Sequence, residues 1–390
     1  MLRYKAVFML IISCFLLLSF TIPAVAVQAD SLQELSVELP LSYIDTYIND
    51  LDNEFAGYMD SFSLKALWGD LRSGKMSFDV NGIITVLGRL FFRDIAATGG
   101  LLAQLAVLSL VCLVFNNLSA AFGDGNVSGL AQGVTYLLLA GIAVSSFSMA
   151  AEQARSAVTG AGDFLYASLP VLMTILASMG GVGSVAFVHP AMLAAVSLVM
   201  SILNTVIFPL IYFSAVLSLV NHISSRFSVN KLAKLFKDVS LGVLSIVTTL
   251  FLAFLSISGF AGASVDGLAI KAAKTATGIF IPVVGKSLAD SLDTVVGISL
   301  ILKNGIGLLG VIIIIFVCLL PALKILAAAL VYRLAGALVQ PLGDEMLSDA
   351  LNGLGSSLQL LFAVVAISGL FFFFLLAITV GMGNITMMMR

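Results

Sequence analysis

Hydrophobic residues along this chain gather into runs too long for the interior of a small soluble domain, and the charged residues mark where the runs stop. No Asp, Glu, Lys or Arg occurs in 95–123, in 125–151, or in the long stretch 164–225. The runs 239–265, 304–323 and 350–389 are equally free of them. A helix needs about 20 apolar residues to cross the hydrocarbon of a bilayer. Each shorter run therefore supplies one span, and 164–225 supplies two, divided at Gly180-Gly181-Val182-Gly183 and at His189-Pro190. The pattern predicts an all-α fold, a polytopic transmembrane helical bundle of about seven spans. Gly, Ser and Ala recur inside the runs, which permits close helix packing in lipid. Pro170, His189, Pro190, Pro209, Pro282 and Pro321 are the predicted helix-break or structural positions.

The chain ahead of this region is different. Residues 1–29 read as a signal peptide: Arg3 and Lys5 give a basic start, 6–20 an apolar stretch, and Ala24-Val25-Ala26 or Val27-Gln28-Ala29 a small-residue cleavage region. An uncleaved signal anchor is the alternative. A lipoprotein reading of Ile11-Ile12-Ser13-Cys14 is weaker, because an apolar run follows Cys14. Residues 30–94 mix charges with Leu, Tyr and Phe and hold no run long enough to span, so they are expected to form an extracytoplasmic polar, amphipathic helical region. At its end Ile83, Leu87, Leu90 and Phe91 recur at helical spacing beside Arg89 and Arg93, which suits an interfacial helix or one docked on the protein itself. The polytopic membrane domain is then 95–390.

Composition narrows the function classes. Of 390 residues 60% are hydrophobic and 10% charged, with a net charge of -2, and the mean hydropathy is +1.12. So few charges cannot cover a water-facing surface, and the balance offers no field for nucleic acid. Cys14, Cys112 and Cys318 each lie in an apolar run without disulfide or metal-ligand spacing. Only His189 and His222 are present, and the chain has no HExxH, GxSxG or Walker pattern. No enzyme, cofactor or metal site is predicted; His189, before a proline, more often closes a turn than carries a proton.

Arg226, Lys231, Lys234 and Lys237 make 221–238 the best cytoplasmic loop by the positive-inside rule. Alternation of the spans above from an exported N-terminus would place that loop outside, so one run must be re-entrant or doubled, with 189–220 the candidate. An internal duplication is also suggested, around 164–262 and 276–380. Pro170-Val171 and Pro282-Val283 each precede Leu-Ala at the same interval, Pro209 matches Pro321, and Ile257-Ser258-Gly259 recurs as Ile367-Ser368-Gly369. Many transporters are built from two such parts, with the pathway between them. The copies differ in charge: Lys286, Asp290, Asp293 and Lys303 stand where the first copy has Thr174, Ser178, Gly181 and Ala191. Lys286, Asp290 and Asp293 share one helical stripe, and with Lys303 and Asn304 they are the candidate pathway or subunit-contact residues. A solvated face of an interfacial helix is the competing reading.

One run is more specific. Gly278-Ile279-Phe280-Ile281-Pro282-Val283-Val284-Gly285 continues through Leu288, Asp290, Asp293-Thr294-Val295 and Leu300-Ile301-Leu302-Lys303-Asn304-Gly305. With Phe187-Val188-His189-Pro190, Ala273-Lys274, Gln340-Pro341-Leu342-Gly343 and the ending Gly383-Asn384-Ile385-Thr386-Met387-Met388-Met389-Arg390, it resembles the stage III sporulation protein AE family from residue 88 onward. Residues 30–78 match only in character. The resemblance implies a multi-pass protein in the mother-cell membrane surrounding the forespore of an endospore-forming bacterium. It implies partners as well: membrane lipid, the other subunits encoded by the same sporulation operon, and a forespore membrane protein, in a secretion-like channel complex needed for late forespore gene expression. No catalytic residues come with it. The alternative is a stand-alone secondary transporter or permease.

Overall fold

The computed structural model describes backbone at 88–89, 91–100, 103–104, 107, 111, 114, 126–179, 182–220, 229–280, 284–342 and 345–388, and side chains for most of 88–100, 134–257 and 303–382. The signal peptide assigned to 1–29, and residues 30–87 of the polar region assigned to 30–94, lie outside the described residues. Every described element is helical. A short helical segment at 91–100 comes first. Then follow α1 (Asn126–Ser178), α2 (Val182–Ile202), a π-helical turn (Leu203–Ile207), α3 (Phe208–Val220), α4 (Asn230–Phe280), α5 (Val284–Val339), a 3-10 turn (Gln340–Leu342) and α6 (Glu345–Met388). Five stretches among the described residues are long and apolar enough to cross a membrane: Tyr136–Ser178, Val185–Val220, Asn230–Ile257, Gly305–Val339 and Leu347–Met382.

Where the helices stop is governed less by proline than the sequence suggested. The break at Gly180-Gly181 is present: α1 ends at Ser178 and α2 starts at Val182. Pro170, Pro190 and Pro321, by contrast, lie inside continuous helices. A proline removes one N–H, but in a bundle neighbouring side chains and small backbone adjustments hold the helix together. Thr174 Oγ1 donates to the Pro170 carbonyl at 2.8 Å, and Ser168 Oγ to Phe164 at 2.7 Å. His189-Pro190 is thus no helix end, and the division expected there falls further on. Around Pro209 the ladder does change: Phe208 N–H reaches Leu203, an i to i−5 bond that makes the π turn. Pro282 lies between α4 and α5, outside the described residues.

The largest correction concerns Glu152, Arg155 and Asp163. They separate two apolar runs in the sequence, yet they stand within α1, a single helix of 53 residues and about 80 Å. Two expected spans are therefore one. The run 189–220, taken as the candidate for doubling or re-entry, instead belongs to one interrupted rod, α2–π–α3. Likewise α4 begins at Asn230, so Lys231, Lys234 and Lys237 occupy its first turns rather than a loop.

Long-range contacts fix the direction of each helix. Tyr136 at the start of α1 donates its hydroxyl to Leu219 at the end of α3, 3.0 Å away. Ser214 Oγ donates to Ala233 near the start of α4, and Ser348 Oγ of α6 to Gly336 near the end of α5. Buried Tyr332 of α5 donates to Ala143 of α1 at 3.0 Å. At the other end Ser178 Oγ lies 3.2 Å from Ser299 Oγ. The rods of the bundle therefore alternate: α1, α4 and α6 run one way, α2–α3 and α5 the other. The core between them is Leu, Ile, Val, Ala and Phe, with Phe251 and Phe371 stacked at 4.2 Å between ring centres. Along the α5–α6 seam the backbones approach closely. A Cβ on Gly355 would stand 3.2 Å from the Ala329 carbonyl oxygen, and one on Gly369 would stand 2.9 Å from Cys318 Cβ.

Candidate functional site

The outward faces of α2 and α4 suit lipid: Phe187, Leu198 and Val206 are exposed on the first rod, and Ile246, Leu250, Leu252 and Ile257 on the second. The outward face of α1 begins the same way, with Val134, Leu138 and Met149 exposed, and then changes character. From the middle of the helix to its end the exposed positions at helical spacing are Glu152, Ser156, Asp163, Ala167, Pro170, Thr174 and Ser178. They are polar at both ends and small at Ala167 and Pro170, and none carries a large aliphatic or aromatic side chain. The opposite side of the same turns is largely apolar, with Leu165, Leu169, Leu172 and Leu176 at 0% exposure. The line from Glu152 to Ser178 is about 39 Å long, longer than the ~30 Å apolar thickness of a bilayer.

Among the described residues, nothing pairs with Glu152 or Asp163. Arg155, the cation of the same turns, is drawn sideways: its Nε donates to Asn204 Oδ1 at 3.2 Å. Asn204 belongs to the π turn of the next rod, so the irregular backbone and the arginine hold each other. A carboxylate facing hydrocarbon is costly, and two on one lipid-facing stripe would be more so. This face is built to meet something other than acyl chains.

At the foot of the stripe lies a cleft of about 580 Å³ between α1, α5 and the 91–104 segment. Its polar lining is Asp94, Thr98, Gln104, Ser145, Gln153 and Lys324, with Ser146 beside them. Burial holds the Asp94 carboxyl above its ordinary range, against the opposing pull of Lys324 and then Arg93. Lys324 sits within the Gly305–Val339 span, so the cleft brings opposite charges together beside apolar helices. The stripe begins just beyond the cleft, with exposed Met149 between Ser145 and Glu152.

The residues singled out from the sequence fall elsewhere. Lys286, Asp290, Asp293 and Asn304 lie on α5, all but Asn304 well before its apolar span, and their side chains are outside the described residues. Lys303 is fully buried, and its Nζ has no hydrogen-bond partner. It is one turn from Ser299, hence on the side of α5 that meets Ser178 at the top of the stripe. His189 is half-buried on α2 with Nε2 unpartnered. Among the described residues no group of three or more His, Cys, Asp and Glu could hold a metal ion.

Sequence reasoning passed over Glu152, Asp163, Gln153 and Lys324. The first two served only to mark where apolar runs stop. The signal that could have found them is the recurrence of Ser, Thr and acidic residues at 152, 156, 159, 163, 174 and 178, a helical period that continues across the charged interval.

Comparison with known proteins gives a consistent answer. Residues 62–383 match the family described as Stage III sporulation protein AE. Stage III sporulation protein AE of Bacillus subtilis (strain 168) is 35% identical over 358 residues, covering 92% of this chain and 90% of that protein. No solved structure matches.

Proposed function

The chain belongs to the stage III sporulation protein AE family, and from that premise we propose that it is a multi-spanning membrane subunit of a channel or secretion-like complex joining mother cell and forespore. Its role in sporulation and its apolar helices follow from the family and the fold. The site in the mother-cell membrane, the partners from the same operon and the forespore membrane partner belong to the proposal. The observation that carries it is the polar face of α1. Among the described residues the outward faces of α2 and of the α4 span are lipid-compatible, whereas α1 carries a line of carboxylates and small residues, the feature expected of a subunit that completes a larger assembly. The groups on that line are strung over about 39 Å instead of converging on one point. This supports conduction or contact, not catalysis, which requires reacting groups within hydrogen-bond reach.

The test is a clean deletion. Engulfment of the forespore is expected to finish, late forespore gene expression to fail, and the full-length protein to co-purify from sporulating cells with other membrane proteins of its complex. Normal spores from the deletion strain, or a protein that purifies alone and takes up solute by itself in liposomes, would replace this reading with the stand-alone transporter.

A further inference from the structure

We infer that the face of α1 from Glu152 to Ser178 is the wall of a water-filled path that favours small cations over anions. The inference rests on the channel-subunit reading and adds to it the identity of the wall and the sign of the charge that passes.

Three independent features converge. The stripe of Glu152, Ser156, Asp163, Ala167, Thr174 and Ser178 is exposed, and its acidic residues lack partners among the described residues. Lipid against this line would leave two carboxylates and the Ser156 hydroxyl facing hydrocarbon, although the same bundle covers α2 and α4 with Leu, Ile, Val and Phe. Next, the lower end of the stripe lies beside the cleft, whose lining sets Asp94, Gln104, Gln153 and Lys324 among Ala97, Ile142, Met149 and Ala328, so polar groups extend beyond the stripe among apolar ones. Finally, at its upper end the stripe closes on a polar contact, Ser178 Oγ lying 3.2 Å from Ser299 Oγ of α5. Ala167 and Pro170, midway along the line, keep it narrow-walled without obstructing it.

The charge preference follows from which groups face outward. Glu152 and Asp163 present carboxylates on the stripe itself. Of the nearby cations, Arg155 is exposed beside the stripe but turned aside to Asn204 of the π turn, Lys324 faces Asp94 in the cleft, and Lys303 is fully buried, so the groups on the line itself are acidic. Carboxylates lining a narrow aqueous path concentrate cations and repel anions, as acidic rings do in cation channels.

The experiment places single cysteines at Ser156, Ala167 and Thr174 of the full chain in membranes of sporulating cells, with labelling of the unsubstituted chain subtracted. Two water-soluble thiol reagents of similar size and opposite charge are compared. All three positions are expected to react, the cationic reagent faster by about tenfold or more. That ratio is expected to fall toward one in the Glu152→Gln and Asp163→Asn backgrounds. Leu250→Cys, 61% exposed on the lipid side of α4, and buried Leu169→Cys are expected to react with neither. Inert cysteines at all three stripe positions, with protein at normal abundance, overturn the water-filled path. Equal rates for the two reagents, or a ratio untouched by Glu152→Gln and Asp163→Asn, overturn the cation preference. The three positions are exposed and hold small residues close to cysteine in size, so misfolding of one leaves the others to decide. Failure here leaves the channel-complex role standing, because the deletion phenotype and co-purification do not depend on the labelling.

Discussion

Among single residues, Asp94 and Lys324 make the sharpest demand on the chain. A carboxyl raised by burial keeps its proton to higher pH in the folded protein than in the unfolded chain. The stability tied to that proton is fully present below the unfolded value and is lost as pH rises through the folded one. Lys324 narrows this interval by favouring the carboxylate. Lys324→Met is therefore expected to push the carboxyl higher, and to leave a variant whose folded fraction in detergent declines as pH climbs above the ordinary carboxylate range. Asp94→Asn added to Lys324→Met is expected to restore most of the loss, because removing both partners costs less than stranding one. A thermal unfolding series between acid and neutral pH checks both. A double variant as weak as the single one would show that Lys324 acts through packing of its stem and not through charge.

For the helices, the outcome turned on how lipid-embedded helices treat proline and charge. The long apolar runs made the all-α bundle legible, and the glycine pair at 180–181 marked a true helix end, because two residues without Cβ favour a turn over a helix. Pro170, Pro190 and Pro321 misled, since a helix packed on neighbours can absorb a missing N–H where an isolated one in water would break. The charges at 152, 155 and 163 misled for a related reason: hydropathy averages over a turn and does not report which side of the helix a residue occupies. Helix packing was not legible at all, because it depends on partners distant in sequence. Gly355 illustrates this, as its place against the Ala329 carbonyl of α5 is visible only once α6 is laid beside it. Gly355→Leu is expected to force the seam apart at a cost of about 1–3 kcal/mol, the usual range for overpacking. Gly242→Leu, where nothing lies within 4 Å of the added Cβ, is the control. Equal midpoints for the two variants in detergent unfolding would mean that the seam yields without strain.

For the molecule as a whole, joining two runs into α1 changes the expected sidedness. With 125–151 and 164–178 in one helix, the expected exported N-terminus and expected span at 95–123 would bring the chain to 221–229 on the cytoplasmic side. The same end gathers Lys231, Lys234, Lys237 and, through its proximity to Lys237, Arg333. That agrees with the positive-inside rule without any re-entrant segment. The expected outcome is that a cysteine at Ser225 resists an impermeant reagent in intact cells, whereas one at Ser178 or in 30–87 is labelled. Labelling at Ser225 would reverse the assignment. Of the positions that suggested a duplication, Pro209 and Pro321 lie on α3 and α5 and the two Ile-Ser-Gly triplets on α4 and α6, whereas Pro170 is inside α1 and the break before Val182 has no counterpart in the continuous α5.

The length of α5 carries a mechanical consequence. A helix of 56 residues extends about 84 Å, while a bilayer with its headgroups is about 45 Å thick. Nearly half of α5 must therefore stand clear of the membrane, as must the end of α4, another 51-residue helix. Residues Lys286, Asp290 and Asp293 ride on that free half. A shaft anchored at one end works as a lever: a slight change of tilt among the packed helices in lipid is magnified into a wide sweep at its tip. Gly310, where α5 meets Phe164 of α1 and Leu376 of α6, lies where this shaft is packed into the bundle.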